Sequence, residues 1–429
     1  MRSSPAAVIL LFLLCGGLSL VAAEMTPSER YAAKALDEVW REVAANHFRA
    51  DFDALYRKSV YEKFRPQILA SPDRAALIAN LNKMLAAIGD SHLRVFGPVR
   101  DERMKAVLPV EKPGKTQDPV DPGFSIIDDG ERLRVRNVIA DSEPCKKGIR
   151  PGDVVLNIEG MDFPAGRDDG FPPRGMLARA LLTRGGEGSF CAVKLRSADG
   201  TVRDFKLIRS CRGGRYFQVA NLPRQPMNYE VWRLDEHTGY LRFDLFVPEV
   251  VKRFRKDLRK GSLEGVSQLI IDLRGNPGGI LLSAEWLGSW CLPEKTPFGE
   301  LEKSGVRLTP VSEPQPNGFR GKLVVLVDGE TLSTGELFAA AVQDAKAGII
   351  VGTKTPGKCL PSLFFNLACG LRLQTISGSV RRPSGKMLEG IGVTPDVIVP
   401  NSFADRGPML LKWDLVIEKA MELLKEQGK

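Results

Sequence analysis

A chain of 429 residues in which 43% of the side chains are apolar is long and apolar enough for two or three cored domains, which excludes intrinsic disorder. Its 61 Lys and Arg against 52 Asp and Glu leave a formal charge of +9, too modest a surplus to point to a nucleic-acid binder. No zinc-type Cys/His spacing and no His-Glu-x-x-His string occurs, so neither a metal nor another cofactor is expected.

Residues 1–23 combine Arg2, an apolar run from Ala6 to Leu14 and the small-residue string Val21-Ala-Ala23, the pattern of a secretory signal peptide. Nothing later reaches about 18 consecutive apolar residues, so the mature chain is expected to lack a transmembrane segment and to be periplasmic or extracellular. Thr26-Pro-Ser-Glu29 is a capping box with proline at the first helical position, and Leu36, Val39, Trp40 and Val43 follow at helical spacing. Ser71-Pro-Asp-Arg opens a second helix whose apolar face is Leu77, Leu81, Met84, Leu85 and Ile88, with Gly89 as its stop. Residues 24–100 therefore read as a helical region that leaves Asp90-Ser91-His92 in a loop just past a helix. Of the two other histidines, His47 on the apolar side of the first helix reads as packing and His237 as a turn residue.

From 123 to 212 the pattern changes to short strands: Phe124 to Ile127, Leu133 to Val138 and Val154 to Ile158, with the turn-rich string Ser142 to Asp153 between the last two. Phe163 to Gly175 reads as an inserted loop. Residues 216–402 form a further unit, in which Lys252 to Lys260 is the solvated face of an amphipathic helix packing Val251, Phe254 and Leu258 inward. Trp413, Val416, Ile417, Ala420, Met421 and Leu424 recur at helical spacing, so 403–429 closes the chain as a docked helix.

Within 216–402 three apolar strands each end in a turn of chemical interest. Leu269-Ile-Ile-Asp-Leu-Arg-Gly-Asn-Pro-Gly-Gly ends in Gly278 and Gly279, which can present bare backbone N–H groups. Leu323-Val-Val-Leu-Val runs through Asp328-Gly-Glu-Thr-Leu to Ser333 and then into good helix formers, placing one hydroxyl at a helix N-terminus where the dipole favours developing negative charge. Gly348-Ile-Ile-Val-Gly leads to Lys358. Alternating strands and helices predict a parallel sheet with right-handed crossovers, whose ligands sit at the carboxyl ends of the strands. Of the seven cysteines, Cys15 leaves with the leader, and in an oxidising compartment the suggested pairs are Cys191 with Cys211 and Cys359 with Cys369.

Leu-Arg-Gly-Asn-Pro-Gly-Gly at 273–279, Ser333-Thr-Gly-Glu, Val351-Gly-Thr-Lys-Thr-Pro-Gly-Lys358 and Leu388-Glu-Gly-Ile-Gly-Val-Thr-Pro-Asp396 resemble the tail-specific, or C-terminal processing, serine peptidases and their tricorn-core-like and retinoid-binding-protein-like relatives. The resemblance covers about residues 30–425 and implies an α/β, crotonase-like (ClpP-like) peptidase core. An N-terminal helical segment precedes it, and a PDZ-like β-rich domain is inserted. It implies Ser333 as nucleophile, with the oxyanion held by the N–H of Gly278 or Gly279 and of Thr334. For the base it leaves two candidates. The tail-specific branch has a lysine where Lys358 stands, which needs burial to supply neutral amine, and a glutamine shortly after it, where this chain has Ser362. The tricorn-like branch has a Ser-His pair and a late glutamate, positions filled here by Ser91, His92 and Glu389. Gly123, Phe124, Ser125 and Ile126 would receive the free carboxylate of a polypeptide and pair with its backbone. Two other readings stand beside this one: a catalytically decayed peptide-binding scaffold, and acyl-thioester chemistry on the same core.

Overall fold

The computed structural model describes residues 25–97, 120–129, 131–139, 142–166, 174–211, 215–217, 225–303, 306–400 and 414–426. The leader-like segment, part of the inserted loop and residues 401–413 lie outside them. The molecule is a mixed α/β protein built around four hydrophobic clusters.

Helix α1 (Pro27–Asn46) starts at the expected capping box, with Thr26 accepting from Glu29 N–H and Glu29 returning the bond. A helical stretch over 52–69 and α2 (Arg74–Ala86), capped by Asp73, pack on its apolar face through Leu36, Val39, Leu81 and Leu85. The chain then makes β1 (Arg94–Phe96). A β-rich body follows, with strands β2 (Phe124–Asp128), β3 (Leu133–Val138), β4 (Val154–Ile158), β5 (Phe190–Arg196) and β6 (Val202–Ile208) in that antiparallel order. Helix α3 (Arg174–Thr183) covers β2, the edge strand.

The principal sheet takes β7 (Tyr229–Arg233), β8 (Thr238–Phe243), β9 (Gln268–Asp272), β10 (Lys322–Val327), β11 (Ile349–Gly352) and the short β14 (Val397–Ile398), in that order. All neighbours are parallel except β7 with β8. Strands buried on both faces read as unbroken apolar runs, which is why Leu269-Ile-Ile and Leu323-Val-Val-Leu-Val were recognisable. Helices α4 (Pro248–Lys260), α5 (Leu281–Cys291) and α6 (Thr334–Asp344) make the crossovers. On α4, Val251 and Phe254 are buried and Leu258 is partly covered, as the sequence requires. Helix α7 (Leu415–Glu426) docks through Val416, Ile417, Ala420 and Leu424.

One long-range pairing sets up the site. β12 (Ser362–Asn366) and β13 (Arg372–Ile376) form a hairpin, and β1 adds to β13 with Arg94 opposite Gln374. The loop before β1 is thereby tied to the hairpin that follows Lys358.

Neither suggested disulfide is present. Cys191, Cys359 and Cys369 are free thiols. On the β5–β6 ladder Cys191 stands opposite Leu207, while Cys211 pairs by backbone with Val120, so the hairpin register separates the two. Cys359 belongs to the cluster of the parallel sheet and Cys369 to that of the N-terminal helices, so closeness in sequence does not bring them together.

Candidate active site

Buried strand β10 and helix α6 are joined by a loop that ends in Ser333, whose backbone takes φ +51° and ψ −120°. Such a conformation is sparsely populated for a residue with a side chain and costs about 1–3 kcal/mol, so its surroundings must impose it. They do: Ser333 N–H donates to the Lys358 carbonyl at 2.8 Å, its carbonyl accepts from Glu336 and Leu337 N–H at 2.9 and 3.1 Å, and Leu332 N–H donates to the Asn276 carbonyl at 2.9 Å.

The glycines after β9 press directly on this turn. A Cβ on Gly278 would lie 2.8 Å from Ser333 Cβ and 2.9 Å from Thr334 N, and one on Gly279 would lie 2.4 Å from the Phe246 carbonyl oxygen. Both also have positive φ, +100° and +138°, so only glycine fits. Their N–H groups are not equivalent. Gly278 N–H donates to Asn276 Oδ1 at 2.8 Å, whereas Gly279 N–H and Thr334 N–H have no acceptor among the described residues. Thr334 Oγ1 donates to the Gly279 carbonyl at 2.9 Å, fixing the two segments against each other. The available donors beside Ser333 are therefore those of Gly279 and Thr334.

Glu336, buried in the first turn of α6, was not singled out from sequence although the spacing Ser333-x-x-Glu336 is a capping box. Its carboxylate accepts from Thr355 Oγ1 at 2.6 Å, Gly357 N–H at 2.6 Å, Lys358 N–H at 2.7 Å and Ser333 N–H at 3.2 Å. Burial raises its pKa even against these four donors. One side chain thus fastens the 355–358 loop to the serine turn. Replacing Glu336 by alanine strands those donors and is expected to cost about 3–5 kcal/mol, read as a lower midpoint in urea unfolding.

His92 arrives on the loop before β1, half-buried, with Ser91 Oγ 2.6 Å from its Nδ1. That contact leaves Nε2 as the nitrogen available to a reacting group. Burial lowers the imidazole pKa; Lys358 lowers it further, while the carboxylates of Glu389 and Asp90 pull it up. His92, Lys358 and Glu389, far apart in sequence, therefore share one electrostatic neighbourhood. Glu389 in turn accepts from Cys359 N–H at 2.9 Å, one residue beyond the carbonyl that receives Ser333 N–H. The Cys359 thiol lies 3.7 Å from the same carboxylate, and burial with that negative charge pushes its pKa far up, leaving an inert thiol.

Lys358 itself is exposed. The hydroxyl of Ser362, where a glutamine was looked for, accepts from Gln374 Nε2 at 2.9 Å across the hairpin.

Phe124, Ser125 and Ile126 lie on the edge strand β2 with Gly123 just before it, remote in the chain from Ser333. Gly123, at φ +99°, donates its N–H to Asp121 Oδ1 at 2.7 Å, Phe124 and Ile126 are buried, and Ser125 Oγ is buried with no partner among the described residues. This body meets the parallel sheet through charge. Arg136 on β3 contacts Asp272 at 3.2 Å and the Arg274 carbonyl at 2.9 Å, while Arg179 on α3 contacts Glu330 at 3.4 Å. Burial alone would raise the Asp272 carboxyl; the Arg274 and Arg136 guanidinium groups reverse that and hold it well below the usual range.

Residues 237–399 match the model of peptidase family S41. A carboxyl-terminal-processing protease of Picosynechococcus sp. is 26% identical over 420 residues, covering 96% of this chain and 95% of its own. The photosystem II D1 C-terminal processing protease superposes with a TM-score of 0.54 at 22% identity, covering 87% of this chain and 94% of that one. The tricorn protease superposes with a TM-score of 0.51 at 17% identity, covering 94% of this chain and 37% of that one.

Proposed function

We propose that this chain, a member of peptidase family S41, is an exported serine endopeptidase that cleaves polypeptides through an acyl-enzyme on Ser333, with His92 as base. The observation that carries the reading is the strained Ser333 turn, locked to the Lys358–Cys359 backbone whose neighbour Glu389 shares an electrostatic environment with His92. Ser333 Oγ attacks the peptide carbonyl carbon as its proton passes to His92 Nε2. The resulting oxyanion takes hydrogen bonds from Gly279 and Thr334 N–H. His92 then gives the proton to the leaving amine; a water, deprotonated by His92, attacks the acyl carbon, and His92 passes that proton to Ser333 Oγ as the acid leaves. Ser91 fixes the imidazole tautomer, and Glu389 favours the imidazolium that forms.

The exposed ammonium of Lys358 does not favour the lysine reading, and a backbone held at φ +51° is poor support for a decayed scaffold. A serine-directed phosphonate is expected to label Ser333 alone in the wild-type protein and nothing in His92→Ala at the same exposure. Labelling elsewhere would defeat the assignment.

The finer architecture is part of the same reading: a crotonase-like core, and a PDZ-like body in β2–β6 with α3. Support comes from β2 standing at a sheet edge with α3 alongside, the arrangement that accepts an added strand. Unstructured substrates differing only in their last three residues test it. Apolar ends are expected to lower KM about tenfold relative to charged ends with kcat little changed, and equal KM values would remove the C-terminal recognition while leaving the hydrolase.

A further inference from the structure

We infer that His47 is a positioning residue for the base, acting through Asp90; this rests on His92 being that base. The His47 side chain is fully buried between the rings of Phe48 and Phe52, at 4.5 and 4.6 Å. Packing of that kind would be served by any aromatic residue, but the two ring nitrogens are both committed. Arg49 N–H donates to Nδ1 at 3.0 Å, so Nδ1 carries no proton. The proton sits on Nε2, which faces Asp90 Oδ2 at 3.1 Å and donates to it.

Asp90 is two residues before His92, in a loop that leaves α2 through Gly89 at φ +96°. On the far side of His92, Asn82 clamps β1 in both directions, donating to the Val95 carbonyl at 2.9 Å and accepting Val95 N–H at 2.8 Å. The loop bearing the imidazole is thus held at both ends by side chains of the N-terminal helical layer, His47 before it and Asn82 after it. The Asp90 charge also acts on the His92 ring. Losing the His47 bond frees one end of the loop and lets the base swing from Ser333, and a displacement of about 1 Å in a catalytic group costs on the order of 100-fold in rate.

Three variants test this. His47→Phe keeps the aromatic packing and removes both nitrogens; His47→Gln places an amide donor near the lost Nε2; His47→Phe is also combined with His92→Ala. His47→Phe is expected to lower kcat about 10- to 100-fold with KM within about twofold, and His47→Gln to recover most of the loss. In the His92→Ala background His47→Phe should cost nothing further, because a residue acting through another has no separate effect once that other is gone. Wild-type kcat in His47→Phe, with His92→Ala inactive, would overturn the inference alone. Equal losses in His47→Phe and His47→Gln tracking a lowered melting temperature would reduce His47 to a core residue. An active His92→Ala would overturn both the inference and the assignment of the base. If His47→Phe does not fold, Asp90→Ala, which removes the acceptor of the His47 Nε2–H, carries the same kcat and double-variant comparison.

Discussion

Replacing Ser333 by alanine is expected to leave a folded protein whose peptide hydrolysis falls by at least about 10⁴-fold, measured as initial rate on an unstructured substrate. The size follows from the roles proposed above: without the hydroxyl there is no acyl-enzyme, and only the oxyanion donors and substrate binding remain to assist water. Stability should move little, because backbone bonds to Lys358, Glu336 and Leu337 hold the turn and alanine keeps them. A companion variant separates chemistry from strain. Ser333→Gly is equally inactive yet should unfold later than Ser333→Ala, since glycine adopts φ +51° without the roughly 1–3 kcal/mol penalty borne by a residue with a Cβ. Identical melting temperatures would mean that the turn is not strained in solution. Substantial hydrolysis by Ser333→Ala would remove the nucleophile from the mechanism.

The strands that carry the site were legible because they are buried on both faces and appear as uninterrupted β-branched and leucine runs ending in glycine or a helix start. His92 was legible as a loop residue, since the α2 periodicity stops at Ile88 and Gly89. The pairing that anchors its loop was not: the β1–β13 ladder joins segments far apart in the chain, and the register Arg94 to Gln374 leaves no local pattern. Choosing between Gly278 and Gly279 as donor also required coordinates, because it depends on which N–H the Asn276 amide captures. The disulfide suggestion failed for a related reason. It used separation along the chain, whereas Cys359 and Cys369 belong to different cores and Cys191 is a free thiol in a third. His47 was read as packing, which its ring contacts satisfy, but its second nitrogen answers to Asp90, a residue no helical periodicity links to it. Polar pairings across elements are where sequence patterns fall silent, and they make up most of this site.

The choice between imidazole and amine as base is decided by opposite movements of the same pH profile. With His92 as base, hydrolysis requires the neutral ring, so kcat/KM rises with pH along a limb whose midpoint lies below the ordinary histidine value of about 6.5, since burial lowers this pKa. Lys358 adds to the lowering and Glu389 opposes it. Removing the ammonium in Lys358→Met therefore makes protonation easier and moves the limb to higher pH. Removing the carboxylate in Glu389→Gln makes protonation harder and moves it to lower pH, while the amide oxygen can still accept Cys359 N–H. On the plateau above these limbs, Lys358→Met should retain activity within about threefold, whereas His92→Ala should lose about 10²–10⁴-fold. If the lysine is the base the outcome inverts: Lys358→Met is inactive at every pH, and His92→Ala keeps most of its rate.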